Sequence, residues 1–318
     1  MSTRIPTFLI VAFAMSHLGG AECVIAQTAS PQAANEKNPT TSANETLEES
    51  LAKMPSWTVL AEASAYRVGA SGKVRMPGSN ALSSPLGQSS LKLEKIGADN
   101  PQWGPYGRVR WRPTQGSWSF GASGFGTSID ELGVADETSR VGDMLLFSGD
   151  IIHTEIQFHN IDVEAAYRVF ERARGKQAGT GSTKVAPYVD LTMGLRVIDT
   201  DVRFSHTTAQ LPPFSPGQRF EADNHDVFFQ PIVGARAGIE LVETFNIDLR
   251  FNFGGLPGTQ RSITWDIEPC FTWRPWSNVG VHVGYRNLFL SVRSGGDNER
   301  YSWRGGLAGL YFGVTGRF

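Results

Sequence analysis

Cysteine is nearly missing from this sequence, which has 2 such residues in 318, at positions 23 and 270. A fold held together by several disulfides is therefore excluded. Beyond position 26 there is also no apolar run of 18 residues, so no helical membrane anchor is expected. Positive and negative charges nearly balance, with 29 Lys and Arg against 31 Asp and Glu. A chain with this balance is not expected to bind nucleic acid.

Motifs that carry chemistry are missing as well. The sequence has no phosphate-binding loop, no dinucleotide fingerprint and no zinc-ligand spacing. His153 and His159 stand close together, but no further ligand follows at a matching spacing. We therefore expect no catalytic residues, no cofactor and no metal site.

The N-terminus has the features of an export signal. Arg4 precedes the apolar run Phe8–Met15, and Val24-Ile25-Ala26 offers a cleavage site after Ala26. Lipidation of Cys23 is disfavoured, because Glu22 stands where such processing needs a small residue. Cleavage after Ala26 leaves Cys270 as the single mature cysteine, so no intramolecular disulfide is expected.

Residues 27–56 are rich in Ser, Thr, Ala, Asn and Pro and show no periodicity. This composition predicts a flexible periplasmic arm. The predicted organisation is a signal peptide over 1–26, the arm over 27–56 and one folded domain over 57–318.

From Trp57 onward, apolar and polar residues alternate with a period of two, which predicts β-strands with one apolar and one polar face. Between Ile263 and Trp273, for example, the odd positions are mostly apolar, whereas Asp266 and Glu268 lie on the other face. A soluble β-sandwich would have to bury such charges in its core. A transmembrane barrel places them in a polar lumen and turns the apolar face to lipid. The predicted fold is all-β, a transmembrane antiparallel up-and-down β-barrel of about 10 strands, with about 8–12 possible.

The connections between these strands alternate between short and long, as short periplasmic turns and long external loops do in outer-membrane barrels. Ile156 and Phe158 have the opposite parity from the apolar residues after Ile161, so a β-bulge is expected near His159-Asn160. The predicted long loops are Gly69–Gly104, Ser128–Gly149, Asp199–Asn224 and Gly254–Arg261.

Aromatic residues recur at the predicted periplasmic strand ends. This position is typical of the interfacial girdle of a transmembrane barrel, a signal independent of loop length. The predicted girdle consists of Trp57, Trp111, Trp118, Trp273, Trp276 and Phe318.

The export signal, the alternating strands and the last strand, Gly309–Phe318, together resemble the bacterial outer-membrane β-barrel proteins, in particular the small porin-like class. The last strand ends on an aromatic residue and is similar to the signal read by the barrel-assembly machinery, although Gly316 stands where a second apolar residue is usual. The resemblance implies outer-membrane lipid and the assembly machinery as partners. It also implies a location in the outer membrane of a Gram-negative cell envelope, with the arm in the periplasm.

Charged residues occupy many positions predicted to face the lumen. They could form the selectivity surface of a small channel. Alternatively they form a salt-bridge network that fills the interior, which is favoured because barrels of about eight strands are already filled by side chains. The predicted lumen charges are Arg108, Arg110, Arg112, Arg168, Asp190, Arg196, Asp248, Arg250, Asp266, Glu268 and Arg286, and a wider set adds Glu62, Asp162, Glu164, Arg236, Glu240, Arg304 and Arg317. Cys270 is predicted to face the lumen as a small residue without nucleophilic function.

The predicted function is non-enzymatic, either a porin-like small channel or a structural or adhesive surface protein whose long loops bind an extracellular ligand. The alternative is a rim-site barrel enzyme, either a lipid-modifying hydrolase or an omptin-like protease. Asp223-Asn224-His225 is similar to the Asp-x-His arrangement of the omptins, and Asp199 lies across the same predicted loop. Because the match is three residues long, solvated loop charges explain it more simply.

Overall fold

The computed structural model describes residues 57–78, 90–113, 116–171, 185–207, 219–241, 244–276, 278–296 and 300–318. The predictions for the signal peptide and the periplasmic arm lie outside these residues. Within the ranges given, no helix has the length and apolar character needed to cross a membrane.

Ten antiparallel strands form a closed ring, in which each strand pairs with its sequence neighbours and the last strand pairs with the first. The predicted fold class and strand number are thus confirmed. In chain order the strands are β1 (Trp57–Arg75), β2 (Leu91–Lys92), β3 (Gln102–Pro113), β4 (Trp118–Val134), β5 (Ser139–Val141), β6 (Met144–Leu146), β7 (Ile151–Glu171), β8 (Val185–Thr207), β9 (Arg219–Leu241), β10 (Phe245–Leu256), β11 (Arg261–Trp273), β12 (Val279–Ser294) and β13 (Tyr301–Arg317), and a 3₁₀ helix spans Leu93–Ile96. All but the short β2, β5 and β6 belong to the ring.

One end of the ring carries Trp57 and Phe318 and is called the girdle end here; the opposite one is called the far end. From the girdle end upward, the outward face is an apolar belt. On β8, Leu191, Met193 and Leu195 are 54%, 58% and 64% exposed. Apolar exposure that continues around a closed ring is the lipid-facing surface of a transmembrane barrel. Further belt residues are Val163, Val233, Phe251, Val281, Leu310 and Phe312.

Beyond the belt, strands β7, β8 and β9 continue toward the far end and their two faces exchange polarity. On β7, Ile156 and Phe158 are fully buried inside the ring, whereas Glu155 and Gln157 face outward. On β8, Val202 is buried inside and Arg203 faces outward. The far ends of these strands therefore have the pattern of a water-soluble barrel, with an apolar interior and a polar exterior.

The prediction of a β-bulge near His159-Asn160 is wrong. The pairing of β7 with β4 and with β8 runs in continuous register through these residues. The register shift on β7 lies instead between Arg168 and Phe170, near the girdle end. The apolar residues change parity because lipid outside the ring gives way to water, while the strand itself stays regular.

The predicted long loops are also wrong in extent. Most of Asp199–Asn224 is strand, because β8 runs to Thr207 and β9 begins at Arg219. Gly69–Gly104 contains the end of β1, β2 and the 3₁₀ helix, and Ser128–Gly149 contains the end of β4 and the β5–β6 hairpin. The described part of the far end is therefore largely regular structure.

The interior at the far end is a hydrophobic core, called the far-end core here. A chain of aromatic contacts crosses this core. The ring of Phe125 stacks on Phe158 and meets Tyr66 edge-on, with ring centroids 5.5 Å and 5.2 Å apart. Phe158 in turn meets Trp303 edge-on, with centroids 5.9 Å apart. Geometries of this kind add to the burial of the rings. Further buried members are Ile129, Ile152, Val202, Phe204, Leu288, Leu290, Val292 and Leu307, and the connecting segments add Leu93, Ile96, Val141 and Leu146.

His206 lies near the far end of β8, beyond the apolar belt. Its imidazole is buried, stacks on Phe220 at 5.3 Å between centroids, and lies with Nε2 3.6 Å from Asp150 Oδ2. Burial lowers the pKa of His206, and the Asp150 carboxylate offsets this in part. The unfolded histidine, with a pKa of about 6.5, therefore binds a proton more readily than the folded one.

Stability from His206 is thus present above about pH 6.5 and is lost as pH falls through the lowered folded pKa. We expect amide exchange at the far ends of β8 and β9, corrected for intrinsic rates, to be faster at pH 5 than at pH 7.5. The variant His206→Phe keeps the stacking but cannot titrate, so its corrected exchange should depend less on pH. Equal pH dependence in both proteins would contradict this role.

Candidate functional site

The centre of the lumen is filled by two arginines and two aspartates from four strands. Arg196 donates to Asp162 from Nε at 2.6 Å and from Nη2 at 2.9 Å, and its Nη2 also lies 2.8 Å from Asp266 Oδ2. Arg286 Nη2 lies 2.6 Å from Asp266 Oδ2 and 3.2 Å from Asp162 Oδ2. All four side chains are at most 2% exposed. Opposite charges at these distances compensate the loss of hydration that burial imposes.

A second cluster, centred on Glu268, adjoins these four residues. Arg108 Nη2 donates to Glu268 at 2.6 Å (Oε1) and 2.5 Å (Oε2), and Arg250 Nη1 approaches Oε2 at 3.4 Å. The hydroxyls of Tyr106 and Tyr311 donate to Oε1 at 2.8 and 2.7 Å. Arg250 links the two clusters, because its Nη2 lies 3.5 Å from Asp162. Together these nine residues are called the central ion network.

Two glycines make room for tyrosines inside the ring. Tyr311 pairs across the sheet with Gly284, and Tyr188 pairs with Gly238. A Cβ atom at either glycine would overlap the facing ring. The glycine therefore lets the ring lie flat over the strand, where its hydroxyl reaches a carboxylate. Tyr311 thereby bonds Glu268, and Tyr188 bonds Asp248.

Nearer the girdle end, separate ion pairs line the lumen. Arg168 Nε donates to Asp190 Oδ1 at 2.6 Å, and Arg236 Nη2 lies 2.9 Å from Asp248 Oδ1. At the edge, Glu171 lies 3.1 Å from Arg112 and 3.2 Å from Arg168, and its side chain is 48% exposed. Exposed pairs contribute little to stability.

The eleven predicted lumen charges all occupy inward-facing positions in the structure, and most of them join the pairs described above. Arg110 lines a cavity instead. In the wider set, the prediction for Arg304 is wrong, because this residue lies on the outward face of β13. Arg317 is exposed at the girdle end. Cys270 is buried on the inward face of β11. Tyr106 and Tyr311 were not predicted; a tyrosine with inward parity opposite a glycine is the signal that identifies Tyr311.

The six residues of the predicted girdle lie at one end of the ring and are 40–73% exposed. Trp111 stacks on Phe120 at 5.6 Å, and Trp118 contacts Tyr167 at 5.1 Å between centroids. Amphipathic rings at this level suit the boundary between lipid and water.

Asp199 and His225, the residues of the enzymatic alternative, lie on the outer wall of β8 and β9. His225 Nε2 is 2.8 Å from Asp199 Oδ1, and both side chains are exposed, by 53% and 40%. Asp223 pairs with Arg203 in the β8–β9 register. These groups face outward from a continuous sheet. Among the described residues, no three His, Cys, Asp or Glu side chains are grouped so as to hold a metal ion.

A serine and a histidine also meet inside the ring. Ser64 Oγ lies 2.6 Å from His282 Nε2. The other ring nitrogen, Nδ1, has no hydrogen-bond partner among the described residues. A nucleophile-activating histidine needs an acceptor at that nitrogen to fix its tautomer. The pair is therefore a structural hydrogen bond.

The closed ring, its apolar belt and its charged interior together decide the type of protein. The chain is a transmembrane β-barrel of the outer-membrane architecture. Its lumen is occupied by side chains over much of its length.

Comparisons with known proteins add little to this. No family model matches the chain, and no curated protein matches it. Among solved structures, Neisserial surface protein A is 12% identical, with 83% of this chain and 98% of that chain covered, at a TM-score of 0.29. Ail, the attachment invasion locus protein of Yersinia pestis, is 11% identical, with 82% of this chain and 97% of that chain covered, at a TM-score of 0.28. The Ralstonia pickettii toluene transporter TbuX is 7% identical, with 82% of this chain and 89% of that chain covered, at a TM-score of 0.28. Scores this low carry no conclusion about function.

Proposed function

We propose that this protein is a non-conducting structural barrel of the bacterial outer membrane that presents a rigid extension to the outside. The observation that carries the proposal is the central ion network, whose members at the centre of the lumen are at most 2% exposed. A hydrated ion would have to displace guanidinium and carboxylate groups that bind one another. The network therefore supports a sealed interior and not a selectivity surface.

The far-end core supports the same proposal. It lies above the network inside the same ring, and Phe158 and Trp303 within it are fully buried. Arg286 links the two layers, because its guanidinium carbon lies 4.7 Å from the centre of the Phe125 ring. A solute would have to pass a charged layer and then a dry apolar one, and these have opposite solvation requirements.

The outer wall of the far end supports a role in contact with partners. Strands β8 and β9 carry the exposed groups Glu221 and Asp199, which pair with Arg203 and His225 on the same strands. Strands β1 and β11 carry exposed basic groups such as Lys73 and Arg261. Regular strands hold these groups in fixed positions, which lowers the entropic cost of binding. We propose an extracellular ligand that binds to this wall, and outer-membrane lipid and the barrel-assembly machinery as the other partners.

We also propose that the protein is not an enzyme. The exposed pair of Asp199 and His225 faces outward from the β8–β9 sheet. A general base needs a substrate pocket around it, so that water is excluded and the substrate is positioned. Solvated surface charge is the simpler role for this pair.

Ion conductance in a planar bilayer tests the proposal, with protein purified from the outer-membrane fraction where we expect it. The native barrel should produce no discrete current steps, while a shift of gel mobility on heating shows that it is folded. The double variant Arg196→Ser, Asp162→Ser opens the charged layer only and should also produce no steps, because the far-end core still closes the ring. Regular steps from the native barrel, altered by Arg108→Gln, would contradict the proposal and support the small channel.

A further inference from the structure

Inside the ring, between the central ion network and the girdle end, lies a cavity of about 90 Å³. It has room for several water molecules or for one small ion in their place. Inward-facing side chains of the barrel strands enclose it, among them Leu60, Glu62, Arg110 and Thr315. Outer-leaflet and inner-leaflet lipid lie on the other side of the barrel wall. A ligand here therefore comes from the aqueous phase at the girdle end.

Three hydrogen-bond donors that line this cavity have no partner in the described part of the chain. The guanidinium of Arg110, a residue of intermediate exposure, makes no hydrogen bond or ion pair there. Arg274 Nε and Thr315 Oγ1 are buried and unpaired. Arg274 and Thr315 are neighbours, because both would touch a Cβ atom placed on Gly280. Buried donors without acceptors reduce stability, so an acceptor is expected among them.

None of the carboxylates that line the cavity makes a hydrogen bond or an ion pair with Arg110; they are Glu62, Asp190, Glu240 and Asp248. The charged neighbours of Arg110 are Arg108, Arg236, Glu62 and Asp248. Asp248 is held by Arg236 at 2.9 Å, and Glu62 Oε2 lies 3.4 Å from Arg108. The positive charge of Arg110 is therefore incompletely neutralised within the barrel.

We propose that this cavity binds a phosphate-sized oxyanion, with Arg110 as its counter-ion and Arg274 and Thr315 as further donors. Arg110 on β3, Arg274 directly after β11 and Thr315 on β13 line the same cavity, and a tetrahedral oxyanion offers oxygens to donors that approach from different sides. The buried Oδ1 of Asn246 also lines the cavity without a donor. A hydroxyl of hydrogen phosphate can donate to it, whereas sulfate has no proton to give. This site goes beyond the proposed structural role, since a sealed barrel does not require a ligand at its girdle end.

The test is the thermal unfolding midpoint of the refolded full chain in zwitterionic micelles, measured against inorganic phosphate concentration. Ionic strength is kept constant with chloride. A ligand that binds only the folded state raises the midpoint with concentration. The variant Arg110→Gln should need about ten-fold or more phosphate for the same rise, because it loses a hydrogen bond to a charged group. Sulfate should act more weakly than phosphate on the native protein.

Control variants separate the site from general salt effects. Arg304→Gln removes an outward-facing charge and should leave the response to phosphate unchanged. Thr315→Val keeps the side-chain shape and should weaken the response, which also covers the case that Arg110→Gln does not fold. The stabilisation of burial by excluded salts acts on all variants alike.

Three results would overturn the proposal. The midpoint could be the same in phosphate and chloride, which would leave only water in the cavity. Arg110→Gln and Thr315→Val could both keep the native response. Micelles that contain phosphatidylglycerol could replace phosphate, which would make a lipid headgroup the ligand. None of these results depends on whether the barrel conducts ions, so this site and the sealed lumen are tested separately.

Discussion

Replacing Asp162 by alanine is expected to lower the free energy of unfolding by about 3–5 kcal/mol, as measured by reversible denaturation in micelles. Asp162 receives Arg196 and Arg286 through bonds of 2.6–3.2 Å, and Arg250 lies 3.5 Å away. The alanine variant leaves these arginines with incomplete compensation at the centre of the lumen. The penalty is large because buried cations have lost their hydration and cannot regain it without opening the barrel.

The exposed pair at the girdle end provides the matched control. Glu171→Ala removes a carboxylate that is 48% exposed and lies 3.1 Å from Arg112 and 3.2 Å from Arg168. Arg168 keeps Asp190 as a partner. Water replaces the lost partner there, so the expected cost is at most about 1 kcal/mol. If Asp162→Ala cost no more than Glu171→Ala, the lumen at Asp162 would be hydrated, and the central ion network could not be a seal of the barrel.

A double variant shows how much of this cost comes from charge left unpaired. Asp162→Leu combined with Arg196→Met removes a carboxylate and a guanidinium together and leaves apolar groups of similar size. Such replacements are often close to neutral, because the desolvation penalty disappears along with the attraction. The double variant should therefore be more stable than Asp162→Ala, and a denaturation curve for each protein checks this.

The ring itself could be predicted from the sequence, because the period of two is a property of the extended backbone. Trp57 and Trp273 mark strand ends at one membrane boundary, and between them the alternation counts the strands. The inward positions of Asp266 and Glu268 follow from the same alternation, since side chains along a strand point to opposite faces. No knowledge of the partners across the lumen is needed for either prediction.

The far end could not be predicted in this way. Alternation identifies which face of a strand is apolar, but not whether that face points inward or outward. In the belt the apolar face meets lipid, whereas at Ile156 and Phe158 it meets the far-end core. If lipid is assumed to surround the whole length of each strand, the change of parity at Ile156 and Phe158 predicts a bulge. The same assumption predicts that Asp199–Asn224 is a loop.

The pairing of charged residues within the central ion network also could not be predicted from the sequence. Parity places Arg196 and Asp266 in the lumen, but these residues are 70 positions apart, and the contact depends on how strands meet across the barrel. Arg110 illustrates the same limit. Its position on β3 follows from parity, but the contacts of Asp248 with Arg236 and of Glu62 with Arg108, which leave Arg110 without a carboxylate, do not.

The second large effect is expected at Trp303, the largest fully buried side chain of the far-end core. Trp303→Ala should lower the free energy of unfolding by about 3–5 kcal/mol, because the removed ring leaves a cavity that a regular sheet cannot close. The indole also donates from Nε1 to the carbonyl of Ser71 at 3.2 Å, and that acceptor loses its partner. Leu310→Ala, on the lipid face of the same strand, is the control with a smaller expected cost, because lipid or detergent fills the space.

Amide hydrogen exchange shows where this loss occurs. The far-end core and the central ion network are adjacent layers, which meet where Arg286 lies against Phe125 and where the Tyr66 ring contacts the rings of Tyr106 and Tyr311. Trp303→Ala should therefore accelerate exchange at the far ends of β1, β7 and β13 and leave the belt segments of the same strands protected. Equal acceleration along whole strands would mean that the two layers unfold as one unit. The ion network would then derive its rigidity from the apolar core above it, and the barrel could not keep its seal once that core was weakened.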